Sequence, residues 1–208
     1  MKLKKKFKLI LLFIILIILV GAGYHLYKRY KQTPKQEEVK VIHQIEKYGY
    51  SLKENKPKEY KKMYKELEEI LNEKEVDEDA YVKKISEMFI YDFFSLNDKT
   101  AKTDIGGVDF IYGEILENFL ENAQNNYYKY IENNIYENRK QSLPIVSDIE
   151  IINVKQEPFA YSDKNDEKAY TVDVTWSYTD SQFSEYQRKA TLIFIHEEEK
   201  LSLVELNK

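Results

Sequence analysis

The chain has no cysteine among its 208 residues, which excludes structural disulfides, thiolate zinc sites and cysteine nucleophiles together. Glycine and proline are scarce, at six and four positions, so the chain is neither collagen-like nor low-complexity, and with 43% apolar residues it is expected to fold. Acidic residues are missing from the first 35 positions, where Lys2, Lys4, Lys5, Lys6, Lys8, Lys28, Arg29, Lys31 and Lys35 give a charge of +9. That leaves 23 basic against 36 acidic side chains in the rest, a net −13. Nonspecific nucleic-acid binding draws its affinity from Lys and Arg on phosphates, so an acidic body excludes nucleic acid as a partner. Heavy combined use of Lys, Ile, Asn and Tyr is what an A/T-rich coding sequence yields, and points to a bacterium.

The one long apolar run is at the start. Every residue from Leu9 to Val20 is apolar, and with Gly21 to Tyr27 the run reaches 19 residues. A helix of that length covers about 28 Å, close to the roughly 30 Å hydrocarbon core of a bilayer. Tyr24, Tyr27 and Tyr30 suit the interface, and Lys28 and Arg29 stop the transfer. Residues 1–8 are therefore expected to be a basic cytoplasmic N-terminus and 9–27 a transmembrane helix whose partner is the lipid bilayer. A long following domain crosses whatever its charge, so the chain is expected to be a single-pass protein of the cell membrane with its C-terminal domain outside. A cleaved signal peptide is the competing reading, since Val20-Gly21-Ala22 offers small residues for cleavage after Ala22. The continuation to Tyr27 and the basic stop favour the anchor. Gly21-Ala22-Gly23 also offers a close approach between two such helices.

Residues 28–56 read as a juxtamembrane linker with Pro34, followed by a short helix on the three-residue spacing of Val39, Ile42 and Ile45. An α+β domain is expected over 57–208. After Pro57, Tyr60, Met63, Tyr64, Leu67, Ile70 and Leu71 mark an amphipathic helix. Asp77 is a good N-cap for a second helix, carrying Tyr81, Ile85, Met88, Phe89 and Phe93 and apolar on more than one side. Asn97 to Gly107 reads as a loop, and a third, longer helix is expected from Val108 to Ile131 despite Gly113 and the run of asparagines. Pro144 closes the helical half. Beyond it the period changes to two: Tyr170, Val172, Val174, Trp176 and Tyr178 alternate with polar residues, as in a strand buried on one face. The parity of Ile149 and Ile151 is reversed by Ile152 and Val154, which marks a bulge. Connections too short for crossover helices make the sheet antiparallel. The expected fold is thus about three helices packed on a curved antiparallel sheet of four or so strands, behind a transmembrane helix.

Helices followed by a meander resemble the nuclear transport factor 2-like cone. The closing hairpin carries the likeness: Ala190-Thr191-Leu192-Ile193-Phe194-Ile195, the acidic turn His196-Glu197-Glu198-Glu199-Lys200, and Leu201-Ser202-Leu203-Val204-Glu205-Leu206. One anchor followed by such a cone is similar in layout to the inner-membrane scaffold subunits of type IV secretion and conjugation machines. Cones of this kind serve as enzymes or as assembly modules, so the resemblance implies no particular site residue.

No residue is assigned as catalytic, cofactor-binding or metal-ligating, and no cofactor is implied. His25 and His43 have no partner visible in sequence. His196 with Glu197, Glu198 and Glu199 is a possible metal shell, but neighbouring strand residues point to opposite faces. Asp163-Lys164-Asn165-Asp166-Glu167 begins like a calcium loop and then fails, with Lys168 at position 6 and Val174 at position 12. Asp173 on the third strand either presents a carboxylate to a cone pocket, where burial would raise its pKa, or lies on the exposed face, the reading its place in the alternation favours. Tyr127, Tyr128, Tyr130 and Tyr136 crowd one region and offer a peptide or glycan platform, or ordinary core packing. The function expected is a noncatalytic protein-interaction or assembly module of a bacterial envelope, partnered by an envelope protein or by itself; the alternative is an anchored enzyme or small-ligand binder using a cone-shaped pocket.

Overall fold

A computed structural model of the chain describes residues 19–24 and 39–208. Residues 19–24 are helical. The rest of the expected span over 9–27, and His25, lie outside the described residues. Among the described residues no helix is long and apolar enough to cross a membrane.

The compact unit runs over Val39–Lys208. It opens with a hairpin of β1 (Val41–Ile45) and β2 (Tyr50–Lys53), paired antiparallel from Val41 against Lys53 to Ile45 against Tyr50. This corrects the helix expected at Val39 to Ile45 and brings residues assigned to the linker into the folded body. The three-residue spacing was shared with a strand of β-branched residues, too short to nucleate a helix. Gly49, in the left-handed region at φ 69°, makes the turn after a 3-10 turn at Glu46–Tyr48. Tyr48, Tyr50 and Leu52 bury their side chains, and Tyr50 ties the hairpin down. Its hydroxyl meets that of Tyr81 at 2.6 Å and donates to the Leu201 carbonyl at 3.2 Å, while its own carbonyl accepts from the Tyr64 hydroxyl at 3.0 Å.

Helix α1 (Lys58–Leu71) has Pro57 as its N-cap and buries Tyr60, Met63, Tyr64, Leu67 and Leu71, the stripe read from the sequence. Helix α2 (Glu78–Phe94) starts where expected: the Asp77 carboxylate accepts from the backbone N–H groups of Asp79 at 3.0 Å and Ala80 at 3.1 Å. It lies between α1 and the sheet, so it is buried on opposite sides.

The third helix is shorter than expected. Two 3-10 turns, Val108–Phe110 and Gly113–Ile115, precede α3, which spans only Leu116–Asn125. Between the turns the chain is extended, with Ile111 bridging Leu203 and the Tyr112 N–H donating to the Leu203 carbonyl at 2.9 Å. Pairing with the sheet edge there outcompetes a helix that Gly113 and the asparagines already weaken.

Strands β3 (Val146–Tyr161), β4 (Lys164–Tyr178), β5 (Lys189–Glu197) and β6 (Lys200–Asn207) form an antiparallel meander in that order. The pairing of β3 slips between Ile151 and Asn153, the site of the reversed parity. Two further slips and Pro158 break up this long edge strand, which discourages edge-to-edge pairing. On β4, Tyr170, Val172, Val174 and Trp176 are buried while Thr171, Asp173 and Thr175 face partly outward. The buried face meets a core that includes Phe89, Phe93, Phe94, Tyr128 and Phe194. Ile195, pointing the other way from Phe194, joins Tyr112 and Ala169 in a small second cluster.

Candidate functional site

The most buried charges gather around Asp92, in the otherwise apolar last turns of α2. Its Oδ1 accepts from Lys56 Nζ at 2.5 Å and Lys99 Nζ at 3.0 Å, and its Oδ2 from the Gly107 N–H at 2.8 Å. Burial alone would raise the Asp92 carboxyl, but Lys99 and Lys56 hold it well below the usual carboxylate range. Burial would lower Lys99, and Asp92 with Asp98, 2.8 Å away, keeps it above the usual lysine range. Gly106 passes so close that a Cβ there would lie 2.0 Å from the Asp92 carbonyl oxygen. Its N–H donates to the Tyr128 hydroxyl at 3.1 Å, which in turn donates to the Phe93 carbonyl at 2.7 Å. Every contact of this cluster is internal, and it fastens the 97–107 loop to α2. None of it was assigned in sequence. A lone Asp inside an apolar helical stretch was the available signal, but its partners lie 36 positions before and 7 after.

A second cluster surrounds His196. Tyr170 and Phe194 are the last paired residues where β4 leaves β5, and beyond them Asp166 replaces the lost backbone partner: its Oδ2 accepts from the His196 N–H at 2.7 Å and meets Nδ1 at 2.8 Å. Nε2 lies 3.5 Å from Glu78 Oε2, which also accepts from the Tyr170 hydroxyl at 3.0 Å. Burial would raise Asp166, but the His196 and Lys168 N–H groups lower it; burial, then Glu78, pushes Tyr170 up. The imidazole is thus held between two carboxylates, Asp166 at Nδ1 and Glu78 at Nε2.

The three glutamates after His196 diverge. Glu197 accepts from Ser202, Glu198 sits at the tip with φ 57°, and Glu199 pairs with Lys47. Two carboxylates of the calcium-like stretch are also engaged elsewhere, Asp166 with His196, and Glu167 Oε1 in accepting from Asn165 Nδ2 at 2.6 Å. Among the described residues no three His, Asp or Glu side chains are grouped to hold a metal. Asp173 lies on the outward face, where Thr191 at 2.7 Å and Asn153 at 3.3 Å donate to it and lower its pKa, the reverse of the raised value a buried acid would have. His43 meets Glu68 at 2.6 Å on the surface.

The tyrosine-rich region divides. Tyr128 is fully buried and structural, whereas Tyr127 lines a cleft of about 350 Å³ and Tyr130, 76% exposed, stands at its lip. Phe93, Phe94, Leu96, Ile131, Leu143 and Pro144 line it together with Tyr178, the last residue of β4, and Tyr186 beyond that strand. Tyr136 is not part of it. Tyr178 and Tyr186 were not singled out in sequence because they come from a segment some fifty residues further on. The Tyr127 hydroxyl donates to Gln187 Oε1 at 2.8 Å and the Tyr178 hydroxyl to the Gln187 carbonyl at 2.8 Å, so both rings are fixed. Burial pushes Tyr178 up, opposed by the neighbouring Trp176 indole. The Trp176 ring packs against Phe94, centroids 4.4 Å apart and planes tilted by 35°, and its N–H is buried without a hydrogen bond of ordinary geometry among the described residues. The dimensions suit a small ligand or the anchoring side chain of a partner.

Compared with known proteins, the chain matches no family model, no curated protein and no solved structure.

Proposed function

We propose that the chain is a membrane-anchored, noncatalytic interaction module of a bacterial envelope, held by residues 9–27 with its body outside the cell membrane. In this reading the helices pack into a curved sheet in the manner of a nuclear transport factor 2-like cone, the layout of the type IV secretion scaffold subunits it resembles. The observation that carries it is the pair of exposed aromatic lips, Tyr130 and Tyr186, over a cleft whose walls are already rigid. Tyrosine gives large contact area for little conformational entropy, and is enriched at interfaces. The ionic clusters, by contrast, are occupied in holding the fold. To test it, p-benzoylphenylalanine replaces Tyr130 or Tyr186, and Lys65 on the exposed face of α1 as control, in the full chain in intact source cells. Discrete adducts from the two cleft positions alone support the reading. Equal labelling from Lys65, or a monomer with no adduct from any position, contradicts it.

The largely apolar lining of the cleft favours one second reading, a small-ligand binder on the same anchor. Saturable binding of a small molecule at the cleft, without a protein adduct, selects it.

A further inference from the structure

We infer that the cleft takes a small amphipathic carboxylate: an apolar body of fatty-acid type between the aromatic walls, with its acid group at the basic rim. This rests on the small-ligand reading. The interior has little to offer a polar ligand, because its amide side chains are already engaged. Gln141 accepts from the Glu132 N–H at 2.9 Å and donates to the Tyr130 carbonyl at 2.9 Å. Gln187 accepts from Tyr127 and donates to the Lys189 carbonyl at 3.0 Å, and Asn126 donates to the Asn122 carbonyl at 2.9 Å. What remains is aromatic and aliphatic surface, which rewards burial of an apolar chain.

The rim differs. At Tyr186, Gln187 and Lys208 the cleft runs into an open groove that carries Arg188, Lys189 and Lys208 against Asp148 and Glu150. Among the described residues neither Lys189 nor Lys208 enters an ion pair, and Lys208 Nζ hangs 5.5 Å from the centre of the Tyr127 ring, at the junction of the two spaces. Trp176 also lines this groove. Two ammonium groups outside any ion pair, beside an apolar cavity, select an anion with one apolar tail. A carboxylate there gains charge-assisted hydrogen bonds that an alcohol does not.

The test uses the full chain in phosphatidylcholine nanodiscs, irradiated with a dodecanoate carrying a diazirine near its tail end, and maps the adducts by peptide mass spectrometry. Saturable adducts are expected on the peptides holding Phe94, Leu143 and Tyr186. Unlabelled dodecanoate is expected to compete about tenfold better than dodecanol, the worth of one charge-assisted hydrogen bond. Lys189→Gln with Lys208→Gln should close that gap, and Leu143→Trp should abolish the adducts by filling the cleft. Dodecanol competing as well as dodecanoate, or a gap untouched by the charge variants, overturns the acid preference and leaves the small-ligand reading standing. Adducts that never saturate, or none in the cleft, overturn both.

Discussion

Replacing Asp92 by Ala removes the acceptor that three donors share, and the structure sets the size of the loss. Lys99, 3% exposed in its side chain, keeps only Asp98, and the Gly107 N–H is left without its carboxylate. Lys56, at 16%, can turn toward water. Breaking a buried pair by removing one partner costs about 3–5 kcal/mol, and because Asp98 persists the lower part of that range, about 3–4 kcal/mol, is expected. With a urea slope of about 2 kcal/mol per molar, the unfolding midpoint of the body should fall by about 1.5–2 M. Asp92→Leu combined with Lys99→Met should recover most of this, since two charges leave the interior together. The pH dependence gives a second reading of the same cluster. The Asp92 pKa is depressed by folding, so its stabilisation is complete above about pH 4 and is lost as pH falls toward the folded value. Below pH 4 the wild type should lose about 1.4 kcal/mol per pH unit relative to Asp92→Asn, and the two should run parallel between pH 5 and 7. A single-mutant cost under about 1 kcal/mol, or a gap that does not shrink in acid, would falsify the description of Asp92 as a buried anion that holds the loop.

Gly106→Ala places a Cβ against the α2 backbone, 2.0 Å from the Asp92 carbonyl oxygen, so a loss beyond the roughly 3 kcal/mol typical of overpacking is expected by urea denaturation. An unchanged midpoint would show that the loop does not press on α2. Asp77→Ala removes the acceptor for two N–H groups and should cost about 1 kcal/mol in the same assay, with Asp77→Ser recovering most of it. Tyr81→Phe leaves the Leu201 N–H, 3.1 Å from the lost hydroxyl, unpaired in the core; a cost of about 1–3 kcal/mol is expected, with hydrogen exchange rising at Leu201. No change in that exchange would mean the hydroxyl is dispensable.

What the sequence disclosed follows the range of the interactions that set it. Strand β4 was legible because alternation from Tyr170 to Tyr178 is a local consequence of one buried face, and the bulge because Ile151, Ile152 and Val154 cannot share a parity. Asp77 announced its helix for the same reason: its cap partners are two and three residues away. Strand β1 was misread because Val39, Ile42 and Ile45 carry a helical spacing by coincidence. The third helix was overextended because the pairing of Ile111 with Leu203, nearly a hundred positions off, leaves no trace in the local period. At the cleft, Tyr127 and Tyr130 stood out as neighbours in sequence, whereas Phe94, Tyr178 and Tyr186 reach it only through the fold.

Compartment is the claim on which the proposed function most depends, and one label reads it. The chain has no native cysteine, so Ser181→Cys puts a single thiol at an exposed position, the start of the 3-10 turn that Asp180 caps. Intact cells are treated with a membrane-impermeant maleimide, and gel mobility is followed with membrane fractionation. The expected result is a labelled, full-length, membrane-bound protein. Labelling only after lysis would contradict the outward-facing body, and a shortened, soluble, labelled product would contradict the anchor.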